Sequence, residues 1–272
     1  MLVDHGLMFT TLGGYALATV WSELGVVAPN RFRTWVSTVL VALGMVAHTI
    51  ALSIIAARTG RLPMANLYEV LSLFLWFAVA LFLALQLWRP LRAVGAFYLP
   101  LVTAVAAGVA ALAGQSAIDT RGRSIIVVIH GGTALLGFAA FALAAAVAVM
   151  FLIQDGLLKR HSTGRLGAAL SSVSQLEGLT YVIVGFGFIS LTISLGLGIY
   201  IAGQTVGEWA TQHTALLSIA TWLVFAVLFH VRLTSAWRGR KAAWLTVVGF
   251  AVVAAVFAVL LFTADTLHGF LG

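Results

Sequence analysis

Cysteine is absent from the 272 residues. Thiol redox chemistry, iron–sulfur ligation and covalent thioether attachment of a haem to this chain are therefore excluded. Charge is nearly as scarce. Asp, Glu, Lys and Arg together make up 8% of the chain, whereas a soluble domain carries about 25%. A chain so poor in charge cannot cover a water-facing surface, so hydrocarbon must be its solvent. Several signatures of bond-making chemistry are also missing. There is no phosphate-cradling glycine loop, no nucleophile elbow, no metalloprotease motif and no carboxylate dyad, so the chain is expected not to be an enzyme in its own right.

What is present is apolar: 62% of the residues are hydrophobic. The runs are rich in Leu, Ala, Val and Gly without strict alternation, and many approach the ~20 residues that a helix needs to cross a bilayer. Barrel strands would be about half as long and would alternate polar with apolar. The expected fold is an all-α polytopic membrane protein forming one integral domain over 1–272. About eight spans are expected, at 6–27, 35–57, 67–88, 93–114, 124–154, 179–202, 212–234 and 242–264. The breaks fall at PNRFR (29–33), RTGRLP (58–63), WRPLR (88–92) and DTRGR (119–123). The fifth run is too long for a bilayer alone and is expected to continue into water through Gln154, Asp155, Lys159 and Arg160. Between 163 and 178, Leu166, Leu170, Val173 and Leu176 recur at helical spacing, which predicts an interfacial helix. Asp4, with no cation before the first run, is unlike a cleavable signal.

The formal net charge is +7. In a membrane chain such a balance speaks to lipid and orientation, and no nucleic acid partner is expected. Arg31, Arg33, Arg89, Arg92, Lys159, Arg160, Arg165, Arg232, Arg238, Arg240 and Lys241 fall on one side of the spans. Only Arg58, Arg61, Arg121 and Arg123 fall on the other. By the positive-inside rule both termini are expected outside, with localisation in a bacterial inner membrane. Trp35, Trp88, Trp209, Trp237 and Trp244 lie near span ends and read as interfacial anchors. Trp222, in the body of span 7, reads as packing. The glycines of SLGLGIYIAG (194–203) lie inside a span and predict close helix packing.

Seven histidines stand out in this setting, because a polar group in hydrocarbon is costly unless it is paired or used. His130, His213 and His268 are expected near the outer face. His5 is there too, on a terminus, and His161 lies in a cytoplasmic connection. His48 sits mid-span and His230 near the inner end of span 7. Two histidines at one depth on different helices can supply both axial ligands of a haem iron, and His130 with His268 is the better pair. Gly131 and Gly132 would leave room for a macrocycle. Arg121 and Arg123, with Arg58 and Arg61 on the same side, would meet propionates. The alternative for His130 is a buried histidine donating to a backbone carbonyl, and for His268 an interfacial residue. A metal ion held by the outer histidines, with His213 as third ligand, is a further alternative. Glu69, beside Asn66 in MANLYEVL, either orients an axial histidine or snorkels to the headgroups.

Five blocks carry a family resemblance: NLYE (66–69), IHGGTALLGFAAFALA (129–144), LSSVSQLEGLTYVIVGFGFISLTISLGLGIY (170–200), WLVFAVLFHVRLTSAWRGRKAA (222–243) and TLHGF (266–270). Together they resemble the CcsA/CcmC-type cytochrome c assembly superfamily. The resemblance implies presentation of non-covalent haem, of b type, at the outer face, with another assembly subunit or an apocytochrome as partner and a possible part in a haem lyase system. His130 and His268 match the family's outer ligands. His230 matches a membrane-buried site, for which His48 is the candidate partner within this chain. Haem-transfer members carry a tryptophan-rich loop between the outer histidines. Here the stretch is GQTVGEWATQHTALLSIATW, in which only Trp209 matches that loop, a pattern that resembles the HemX/YpjD-like branch, some of whose members are linked to control of haem synthesis. Two other functions fit the residues: a transmembrane electron carrier using His48 and His230, and a regulatory scaffold docking through its cytoplasmic loops.

Overall fold

The structure, a computed structural model, describes residues 2–28, 30–91, 93–113, 124–161, 164–204, 213–233 and 238–268. Every regular element among them is a helix: α1 (Leu2–Val27), α2 (Arg31–Thr59), α3 (Leu67–Trp88), α4 (Val94–Ala111), α5 (Ile125–Lys159), α6 (Arg165–Ala169), α7 (Val173–Gln204), α8 (His213–Leu233) and α9 (Arg240–His268). All but α6 answer one for one to an expected span. Five of them, α2, α3, α4, α5 and α7, are long and apolar enough among the described residues to cross a membrane. The protein is a multi-pass membrane protein, and its helices satisfy the backbone polar groups that hydrocarbon cannot.

The breaks have identifiable chemistry. Asn30 caps α2 by accepting from the Phe32 amide, and Gly60 ends it in the left-handed region at φ 65°. Arg33 donates to the carbonyls of Leu24 and Ala28, capping the end of α1. Ser124 caps α5 through the Ile126 amide. α5 has 35 residues, about 52 Å of helix against a hydrocarbon core of about 30 Å. Its overrun carries Asp155, which pairs with Lys159 at 2.9 Å and Arg240 at 3.2 Å. The stretch 163–178 is not one interfacial helix. The short α6 ends at Ala169, and from Val173 the chain is already the first turn of α7. There Glu177 accepts from the Gly239 amide at 2.7 Å, which gives those polar residues a partner on the following connection.

α5 is the hub. It packs most extensively on α7, then on α9, α3 and α4, while α1 binds α2 and α4 and α8 lies against α7 and α9. Small residues allow this approach. A Cβ at Gly137 would stand 3.1 Å from the Gly187 carbonyl, and one at Gly187 would stand 2.8 Å from the Phe141 ring. α1 and α2 meet in the same way at Gly14 and Gly44.

Candidate functional site

One end of the bundle carries the 60–66 loop, the start of α5 and the end of α7. The loop is held by a buried clasp. Glu69 is 2% exposed. Arg61 clamps its carboxylate with two hydrogen bonds, 2.7 Å to Oε2 and 3.1 Å to Oε1. The Ala65 amide adds a third bond to Oε2 at 2.8 Å, and Asn66 caps α3 by accepting from the Glu69 amide at 2.8 Å. The carboxylate is thus satisfied as a hard-to-bury anion must be. Glu69 neither snorkels nor orients a histidine, and Arg61 is committed to it. Arg61, expected among the propionate partners, is instead spent on Glu69.

The clasped loop lays Met64 on α5. A Cβ at Gly131 would lie 2.5 Å from the Met64 methyl, so the space at Gly131 is filled by that side chain. Gly132 has nothing within 4 Å of such a position and stays open.

His130 itself faces α7. Its Nδ1 lies 2.7 Å from the Ser194 carbonyl and 3.2 Å from Ser194 Oγ, and Ser194 Oγ donates to the His130 carbonyl at 2.9 Å. A carbonyl only accepts, so Nδ1 carries the proton and Nε2 carries the lone pair. Among the described residues Nε2 has no hydrogen-bond partner. The carbonyl contact expected of a structural histidine is therefore present, and it leaves the other nitrogen free to act as a donor to a metal. Gly198 admits the ring: a Cβ there would stand 2.9 Å from Cε1 and 3.2 Å from Nδ1. The close-packing role expected of the 194–203 glycines holds at Gly198. Neither Ser194 nor Gly198 was singled out as a site residue from sequence.

α9 approaches the same end. Its first residue, Arg240, pairs with Asp155 on α5, and the two helices pack against each other. From Asp155 back to His130 is about 38 Å of helix, and from Arg240 forward to His268 about 42 Å, at about 1.5 Å per residue. α9 thus runs antiparallel to α5 and has the length needed to return toward the end of the bundle that holds His130. The side chains of His268, His213 and His5 lie outside the described residues, as do Arg121, Arg123 and Trp209.

His48 and His230 are not brought together. His48 is fully buried, with Nε2 2.8 Å from Ser72 Oγ and Nδ1 3.4 Å from Tyr15 Oη. Both ring nitrogens are occupied, and the histidine acts as a cross-brace among α1, α2 and α3. His230 is exposed on α8, whose neighbours are α7 and α9. Trp222 packs as expected, against Phe188, with Nε1 donating to Thr192. No group of three metal-ligating side chains occurs among the described residues.

The chain matches the family model described as Cytochrome C assembly protein over residues 64–268. It is 25% identical to the "Cytochrome c biogenesis protein CcsA" of Pyropia yezoensis, over 99% of this chain and 98% of that protein. It is 26% identical to the protein of the same name in Gloeobacter violaceus, over 84% and 86%. With that of Chlamydomonas reinhardtii it shares 29% identity over 72% of this chain and 57% of the relative. The match takes in Glu69 and the start of α3, the start of α5, the Ser194–Gly198 face and the whole of α9, so on sequence and architecture together the chain belongs to the Cytochrome C assembly protein family.

Proposed function

We propose that the protein serves cytochrome c assembly by binding haem at the His130 end of the bundle, with His130 and His268 as axial ligands, and by presenting it on the outer side of a bacterial cytoplasmic membrane. The observation that carries this reading is the state of His130: Nδ1 is spent on the Ser194 carbonyl and Nε2 is left as a lone-pair donor. Its chemistry suits iron. The open side of Gly132 and the run of α9 back toward that end of the bundle support a flat ligand held between α5 and α9. Bound there, haem would supply a redox-active iron to be passed on. The chain's own residues bind and orient it, with Arg121 and Arg123 as the cations for its propionates. Haem is the cargo, and another assembly subunit or an apocytochrome is its recipient. The sparse loop around Trp209 supports assignment to the HemX/YpjD-like branch of the family.

The purified protein supplied with haem should give a reduced-minus-oxidised spectrum of a low-spin, two-histidine species. His130→Ala or His268→Ala should abolish that species. Unchanged haem binding in the double variant would overturn the assignment. His48→Ala should leave the haem spectrum in place and lower thermal stability instead, because it removes a buried brace.

A further inference from the structure

We infer that Ser194 and Gly198, one turn apart on α7, form a preorganised socket that fixes the tautomer and direction of the His130 ring before any iron arrives. This rests on the haem reading only for its purpose, because the socket is defined by the protein's own atoms.

Residues four apart on a helix share one face. On that face Gly198 removes the Cβ that would occupy the ring's place, 2.9 Å from Cε1. Ser194 offers its carbonyl at 2.7 Å to Nδ1. Its hydroxyl donates to the His130 carbonyl at 2.9 Å, which ties the two backbones together at the level of the ring. Two consequences follow. The proton sits on Nδ1 in the resting protein, so no tautomer exchange is needed before Nε2 can donate to a metal. The ring is also stopped from turning by the α7 backbone on one side, so the lone pair keeps a set direction. A hydrogen bond from the second ring nitrogen raises the basicity of a ligating imidazole, and loss of such outer partners typically weakens metal binding by about 10–100-fold. Ser194 and Gly198 are positioning residues that act through His130.

The first test needs no haem. The haem-free protein, labelled with 15N-histidine and compared with His130→Ala to assign the signal, should show His130 with protonated Nδ1 and unprotonated Nε2. The opposite tautomer, or a fast-exchanging mixture, would overturn the socket. The second test compares Gly198→Ala with Gly196→Ala, whose Cβ meets nothing within 4 Å. Gly198→Ala should disturb the His130 signal and weaken haem binding by about tenfold or more, while Gly196→Ala should change neither. A wild-type tautomer and wild-type haem affinity in Gly198→Ala would also overturn it. Ser194→Ala keeps the carbonyl and should keep the tautomer. If the tautomer is as stated but no haem binds to the wild type, the haem reading falls and the socket stands.

Discussion

At the scale of single residues, the Arg61–Glu69 clasp has a testable cost. Removing one partner of a buried ion pair leaves the other charge without compensation, which typically costs about 3–5 kcal/mol. Arg61→Met should therefore lower the thermal midpoint in detergent substantially, with the cost seen as loss of α3 start and loop order. Arg61→Met combined with Glu69→Gln should recover much of the loss, because no orphan charge remains. If the double variant is as unstable as the single, the charge is not the cause and Met64 packing on Gly131 must be. The sequence made part of this legible. A carboxylate near the end of an apolar run needs a cation, and Asn66 three residues before Glu69 is a helix-start pattern. Which arginine answers it is a matter of how the 60–66 loop folds back, and residue spacing does not carry that. The Ser194–His130 contact spans 64 positions, so no local pattern announces it. A glycine in an apolar run looks the same whether it faces open space, as at Gly196, or a ring, as at Gly198.

At the scale of elements, the α5–α7 seam is set by glycine. Gly187 has Phe141 2.8 Å from where a Cβ would be and the Ala140 Cβ at 3.2 Å. Both neighbours are buried core atoms with little freedom to yield. Gly187→Val should overpack the seam and destabilise by about 1–3 kcal/mol, read as a lower midpoint of thermal unfolding. Gly196→Val, on the same helix and facing open space, should be close to neutral. Helix existence was readable from the apolar runs, and each of the eight long helices lies where a run predicted it. Helix ends were less readable. The stretch LSSVSQLEG looks polar enough to be a separate interfacial piece, yet the helix begins at Val173 because Glu177 finds a backbone amide across at Gly239. Likewise His48 looked like a ligand because a lone mid-span histidine asks for a use, and its use is supplied by Ser72 and Tyr15 on the two adjacent helices.

At the scale of the whole molecule, the absence of cysteine turns the orientation into a clean experiment. Single cysteines can be introduced without a background thiol. The cation asymmetry predicts that Leu62→Cys, exposed on the clasped loop, reacts with a membrane-impermeant maleimide added to intact cells. Arg160→Cys, exposed at the far end of α5, should react only after the membrane is opened. The reverse pattern would place the His130 end in the cytoplasm and remove the outer-face reading. The family match begins at residue 64, so α1 and α2 fall before it. They are nonetheless built into the bundle through the α1 contacts with α4 and the His48 brace to α3.

The burial of α5 bears on how the protein is made. It is the most apolar of the five candidate spans and also the most enclosed, with 72% of its most apolar stretch buried among other helices. In a bilayer, enclosure does not demand such apolarity, since lipid and protein neighbours are equally oily. Its timing does. α5 leaves the ribosome before α7 and α9, its two principal neighbours. It must therefore wait in lipid with its future contact faces bare, and a helix free of charge over its central stretch can wait there at little cost. The sequence of α5 is suited to that solitary interval as much as to the finished bundle.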